Sequence, residues 1–141
     1  MDAVDIERPE DLGQLALFAD LPAGEIEAIL RSCERMRYSE GEWVLREGET
    51  NSALYMIVDG EVATVIGDVD RRVLSKGSFF GEVSALLGEP ASASITARSA
   101  VTCLVVPGGE VRDFLLAHPL VAVRMLMAEA RRLKTASEWH A

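Results

Sequence analysis

Leu54-Tyr55-Met56-Ile57-Val58-Asp59-Gly60-Glu61-Val62-Ala63-Thr64-Val65-Ile66 is two apolar runs around an Asp-Gly pair. Both runs are rich in the β-branched and aromatic residues that favour a pleated, half-buried surface. Asp-Gly supplies the positive φ angles of a type I′ turn, so the stretch reads as a β-hairpin with arms 54–58 and 61–66. Working outward, glycines at 41, 48, 60, 67, 77, 81 and 88 cut residues 37–106 into short alternating or apolar runs. Such spacing belongs to many short strands joined by tight turns. A closed antiparallel roll or barrel is the arrangement that limits exposed sheet edges.

On both sides of this β region the period changes. Residues 9–36 read as two short helices, separated by Leu17-Phe18-Ala19-Asp20-Leu21-Pro22, a turn with proline near a helix start. Ile26, Ile29, Leu30, Cys33 and Met36 recur at helical spacing and predict one apolar stripe on the second helix. After Pro107, residues 109–117 predict a short helix, His118-Pro119 a break, and 120–139 a longer helix. On the long helix, Val123, Leu126, Ala130, Leu133 and Ser137 follow 3-4-3-4 spacing. That stripe either pairs with a second copy of the chain or packs on its own β region. With no repeat and no linker, the chain reads as one domain, 1–141: N-terminal helices 9–36, β-roll 37–106, C-terminal helices 109–139.

Composition narrows the function. The chain has 141 residues, 14 basic and 23 acidic, for a net charge of −9. An acidic surface repels nucleic-acid backbones and anionic membranes, which argues against direct DNA binding. Residues 1–11 lack the apolar core of a secretory signal, and no apolar run is long enough to span a bilayer. Cys33 and Cys103 lie far apart in apolar surroundings and read as buried core thiols, which fits a reducing cytoplasm. Two histidines, His118 and His140, without a carboxylate cluster make no metal site. No nucleophile–base pairing or carboxylate dyad is present, so the chain is expected not to be an enzyme and to need no cofactor.

The segment most like a site is Phe79-Phe80-Gly81-Glu82-Val83-Ser84-Ala85-Leu86-Leu87-Gly88-Glu89-Pro90-Ala91-Ser92-Ala93-Ser94-Ile95. Gly81 permits close backbone approach by a ligand. Residues 82–87 predict one or two helical turns whose free N–H groups favour an anion. Ser92 and Ser94 offer hydroxyl donors, and Glu82 a carboxylate that accepts a hydroxyl. A small anionic ligand with a sugar hydroxyl suits this set. Taken by itself, Gly-Glu is very weak evidence of a site and describes a plain strand–turn–helix connector better.

The whole segment resembles the phosphate-binding cassette of cyclic-nucleotide-binding domains, and other blocks agree in order. Residues 17–21 look like the family's N-terminal helix turn, 41–49 its early strand pair, and 54–62 its central hairpin. Ala130-Arg131-Arg132-Leu133 and Ser137-Glu138 look like the long C-helix of the bacterial catabolite activators. The resemblance covers about residues 12–139. It implies a mainly β fold with flanking α-helices: a jelly-roll-like β-roll (double-stranded β-helix) with N-terminal helices and a long C-terminal helix. The implied ligand, cyclic AMP or another cyclic nucleotide, is held between cassette and C-helix. On matching positions the resemblance marks Gly81, Glu82, Val83, Ser84, Ala91, Ser92, Ala93, Arg132 and Ser137 as ligand-binding. Glu82 takes the ribose hydroxyl, Gly81 and Ser84 give backbone approach, Ser92 donates to the phosphate, and Ser137 lies near the base. Trp139, two residues further, either covers a purine or rests its indole on apolar surface at a frayed helix end.

One departure is chemical. The cassette's phosphate-pairing arginine falls on Ala91, with Arg71, Arg72 and Arg98 as other sources of charge. A charge-assisted bond contributes roughly 1.5–3 kcal/mol, so its loss weakens binding roughly ten- to a hundredfold. The expected function is a regulatory sensor of a small anionic, nucleotide-like ligand, homodimeric through the C-helix. The alternative is a degenerate domain that serves only as a dimerisation or docking module. The helix-turn-helix domain of the related transcription factors is expected to be absent, since the chain stops at Ala141.

Overall fold

The structure is a computed structural model, and it describes residue 13 and residues 15–140, the side chains of 136–140 excepted. In chain order come α1 (Ala23–Ser32), β1 (Glu34–Tyr38), β2 (Trp43–Leu45), β3 (Leu54–Asp59), β4 (Glu61–Ile66), β5 (Val69–Ser75), β6 (Phe79–Phe80), α2 (Glu82–Leu87), β7 (Ser94–Ala97), β8 (Val101–Val106), α3 (Val111–Ala117) and α4 (Pro119–His140). The strands form two four-stranded antiparallel sheets, ordered β1-β8-β3-β6 and β2-β7-β4-β5. This is the expected β-roll with flanking helices.

The period-2 alternation of β3 and β8 explains why the roll has two cores. One face of these strands sends Ile57, Val101, Cys103 and Val105 between the sheets, against Val62, Leu74, Phe80 and Ile95. The other face sends Leu54, Met56, Val58, Leu104 and Val106 toward the helices, against Phe18, Ile26, Ile29, Phe114, Val121 and Met125. With both faces covered, these strands read as continuous apolar runs.

The predicted hairpin at Asp59-Gly60 does not form. β3 pairs with β8 and β6, while β4 pairs with β7 and β5, so Gly60 carries the chain from one sheet to the other. Gly60 has φ +88°, and a Cβ there would lie 2.2 Å from the Ala100 carbonyl oxygen. The tight hairpin is instead β4–β5. Ile66 faces Val69 across Gly67 and Asp68, both at positive φ, as a two-residue primed turn requires.

A second correction concerns residues 33–38. The helical spacing of the sequence runs on to Met36, but α1 ends at Ser32, whose hydroxyl donates to the Ala28 and Ile29 carbonyls. Cys33 is extended, and Met36 lies on β1 opposite Cys103, 40% exposed. β8 needs a partner on that edge, and the ladder overrides the helical period. Residues 15–20 form successive turns, and the start of the first predicted helix lies outside the described residues. Among the described residues no helix is long and apolar enough to cross a membrane.

Candidate functional site

β6 ends at Phe80, and the chain must turn at once to start α2. Gly81 makes this turn at φ +86°, where a Cβ would sit 2.7 Å from the Ala53 carbonyl oxygen. Asn51 clamps the turn. Its Nδ2 donates to the carbonyls of Gly81 (3.2 Å) and Ala53 (3.0 Å), while its Oδ1 accepts from the Ala53 N–H (3.2 Å). Asn51 is buried. It was not singled out from the sequence, where an Asn among polar loop residues looks like an ordinary turn former.

The turn delivers Glu82 into a cavity of about 350 Å3. Its apolar wall is Leu45, Leu74, Phe79, Phe80 and Ile95, with Phe80 stacked on Tyr55 at 4.8 Å. Gly81, Glu82, Val83 and Ser84 form one side, and Ala91, Ser92 and Ala93 another. Arg132 of α4 lines the cavity as well. Eight of the nine positions marked from the sequence therefore border one cavity. The ninth, Ser137, lies on α4, and its side chain, like that of Trp139, is outside the described residues.

Glu82 is 8% exposed, and its buried Oε2 has no hydrogen-bond partner among the described residues. Burial first, then the negative charge of Glu129 and a side-chain hydrogen bond with it, push its carboxyl up to about 7, against the downward pull of a backbone hydrogen bond and of Arg132. Arg132 Nη1 lies 3.8 Å from Glu82 Oε1 and donates to Glu129 Oε1 at 3.0 Å. Its Nη2 donates to Ser78 Oγ at 3.2 Å, and its guanidinium sits 4.7 Å from the Phe79 ring centroid. One side chain thus ties α4 to α2 and to the segment before β6.

Ser94 does not face the cavity as expected. Its hydroxyl accepts from the Glu47 N–H at 2.8 Å and closes the roll. Ala91 is 5% exposed, and its backbone bonds to Gly48 (2.8 Å) and Glu49 (2.9 Å) hold the cassette's far end to the strands. Arg98 is paired with Asp70, away from the cavity. Arg71 and Arg72 line it together with Thr64. The histidine and cysteines are structural. His118 caps α3 and meets Glu25 at 3.0 Å, and burial pushes both Cys33 and Cys103 up to about 12. Among the described residues there is no cluster of metal-ligating side chains.

Comparison with known proteins places this geometry. Residues 35–118 match the family described as cyclic nucleotide-binding domain. The chain is 30% identical over 119 residues to a cGMP-dependent protein kinase of Plasmodium berghei, which covers 84% of this chain and 14% of the kinase. It also matches glutaminase 2 of Bradyrhizobium diazoefficiens at 30% identity, over 86% of this chain and 20% of that enzyme. The crystal structure of the Thermus thermophilus catabolite activator protein superposes with a TM-score of 0.74 at 29% identity, covering 86% of this chain and 59% of the activator. The chain thus spans a fifth or less of the length of these two curated relatives. Matching sequence blocks, two packed sheets and a cavity between cassette and C-helix agree: the chain belongs to the cyclic nucleotide-binding domain family, a family of regulatory domains.

Proposed function

We propose that the chain is a non-catalytic sensor domain that binds a small anionic nucleotide, cyclic AMP or another cyclic nucleotide, in the Glu82 cavity and signals through α4. The observation that carries this reading is Glu82 Oε2, a buried carboxylate oxygen without a partner on the wall of a nucleotide-sized cavity. An unmet buried acceptor costs roughly 1–3 kcal/mol, and a ribose hydroxyl donating to it recovers that loss. Gly81, Val83, Ser84, Ala91, Ser92 and Ala93 supply the surrounding backbone and small side chains. Arg132 is the contact through which ligand occupancy reaches the C-helix, by differential affinity for two α4 positions. Ser137 completes the lid near the base. The chain acts in the cytoplasm and makes no direct contact with nucleic acid or membrane, in keeping with its net charge of −9.

α4 also supports a homodimer. It seats Val121 and Met125 on the roll and leaves Val123, Leu126, Ala130 and Leu133 exposed, all four on one heptad-like seam. The second reading, a docking module that has lost its ligand, draws on Ala91, a small apolar residue at the cassette's arginine position.

Calorimetric titration with cyclic AMP and cyclic GMP decides between them. We expect binding by at least one, weakened at least about tenfold in Glu82→Ala. A wild-type protein that takes up neither nucleotide leaves the docking module as the function.

A further inference from the structure

β5 carries a bulge whose consequence lies in the cavity. Thr64 faces Arg72 and Val65 faces Asp70, so Arg71 is an extra residue opposite the β4 backbone. In a regular strand, neighbours 71 and 72 point to opposite faces. A bulge re-aims one of them, and both arginines line the cavity beside Thr64 and Leu74. Both are exposed at its rim, and among the described residues neither guanidinium has a hydrogen-bond or ion-pair partner. The third arginine of this region, Arg98, is occupied by Asp70. Arg132 is engaged by Glu129, Ser78 and Glu82. The cassette side of the cavity offers no cation, because Ala91 stands there.

We infer that Arg71 and Arg72, presented by the β5 bulge, are the phosphate-binding residues of this cavity. The inference rests on the reading of the cavity as a nucleotide site. It turns the phosphate toward β5, with a sugar hydroxyl toward the unpartnered Glu82 Oε2. Two adjacent planar guanidinium forks suit a phosphate group better than point charges do. The bulge therefore restores from one strand the charge that the cassette lacks.

The test titrates cyclic AMP, cyclic GMP and 5′-AMP into wild type, Arg71→Ala/Arg72→Ala and Arg71→Lys/Arg72→Lys, at low and high salt. Both side chains are exposed, so thermal unfolding should be the same in all three proteins. We expect a nucleotide that binds wild type to lose at least about tenfold in the double alanine variant, with most of its salt dependence. The double lysine variant should lie between. Equal affinity in wild type and the double alanine variant would overturn the arginine assignment and leave the nucleotide reading standing. No binding of any of the three to wild type overturns both.

Discussion

Glu82 answers to two opposing demands. The ribose-accepting role proposed for it needs the ionised carboxylate, yet burial and Glu129 favour the protonated form and push it up to about 7 from an ordinary 4.5. The folded protein therefore holds the proton more tightly than the unfolded chain does. Between those two values the native state binds more protons, so stability falls as pH rises, and the penalty is complete above the folded value. Glu82→Gln removes this titration. The variant should gain on the order of 3 kcal/mol over wild type at about pH 8, and almost nothing near pH 4.5. Urea unfolding of both proteins across that range measures the difference; a constant gap would mean that Glu82 titrates normally. Cyclic nucleotide affinity should move the other way and strengthen as pH rises through about 7. The residues 79–95 were legible because the site depends on local chemistry: a glycine at positive φ, a carboxylate next to it, small residues after it. Arg71, Arg72 and Arg98 could be named from the sequence as sources of charge, but only the bulge register brings the first two to one cavity, while Asp70 takes the third.

At the scale of elements, strand and helix content could be read where period and burial agree, and failed where a long-range partner decided. Asp-Gly at 59–60 has the composition of a hairpin turn, but Gly60 is demanded by the Ala100 backbone pressed against it. Gly-Asp at 67–68 carries the same chemistry in the reverse order, and there the primed turn forms. Met36 fits a helical stripe, yet β8 claims its segment as an edge strand. For α4 the sequence left two choices, and burial separates them. Val121, Met125, Ala128 and Arg132 face the roll, while Leu126 is 68% and Leu133 70% exposed. The stripe therefore does not pack on its own roll. In Leu126→Glu/Leu133→Glu, substitution at such exposed positions leaves a monomer's fold nearly untouched, within about 0.5 kcal/mol each. Facing carboxylates across a dimer seam prevent pairing. Light scattering should find two chains per particle in wild type and one in the folded double variant. A wild type that stays monomeric at high concentration removes the dimer.

In the whole molecule the two ends of α4 are held by different forces. Its first half is fixed by Val121 and Met125, buried among Phe18, Ile29 and Phe114 in the helix-side core. Beyond Ala128 the exposed Ala130, Arg131 and Leu133 contribute no core, and Arg132 is the chief tie between helix and roll among the described residues. Its partner Ser78 belongs to a segment whose backbone is bonded to Ile57 of β3, at 2.9 Å from the Ile57 N–H to the Ser78 carbonyl. So one guanidinium links the cavity wall, the central sheet and the second half of the helix. Local opening draws on regions with few buried apolar contacts, which marks residues 129–135 as the half of α4 that opens more readily. Arg132→Ala should accelerate amide exchange there at least about tenfold, the equivalent of losing a hydrogen bond to a charged group. Exchange over 119–127 should not change, because hydrophobic burial holds that half. Mass-resolved hydrogen exchange on wild type and variant reads both halves in one experiment. Uniform acceleration along α4 would show that the helix moves as one rigid body, and no acceleration would show that Arg132 is not its latch.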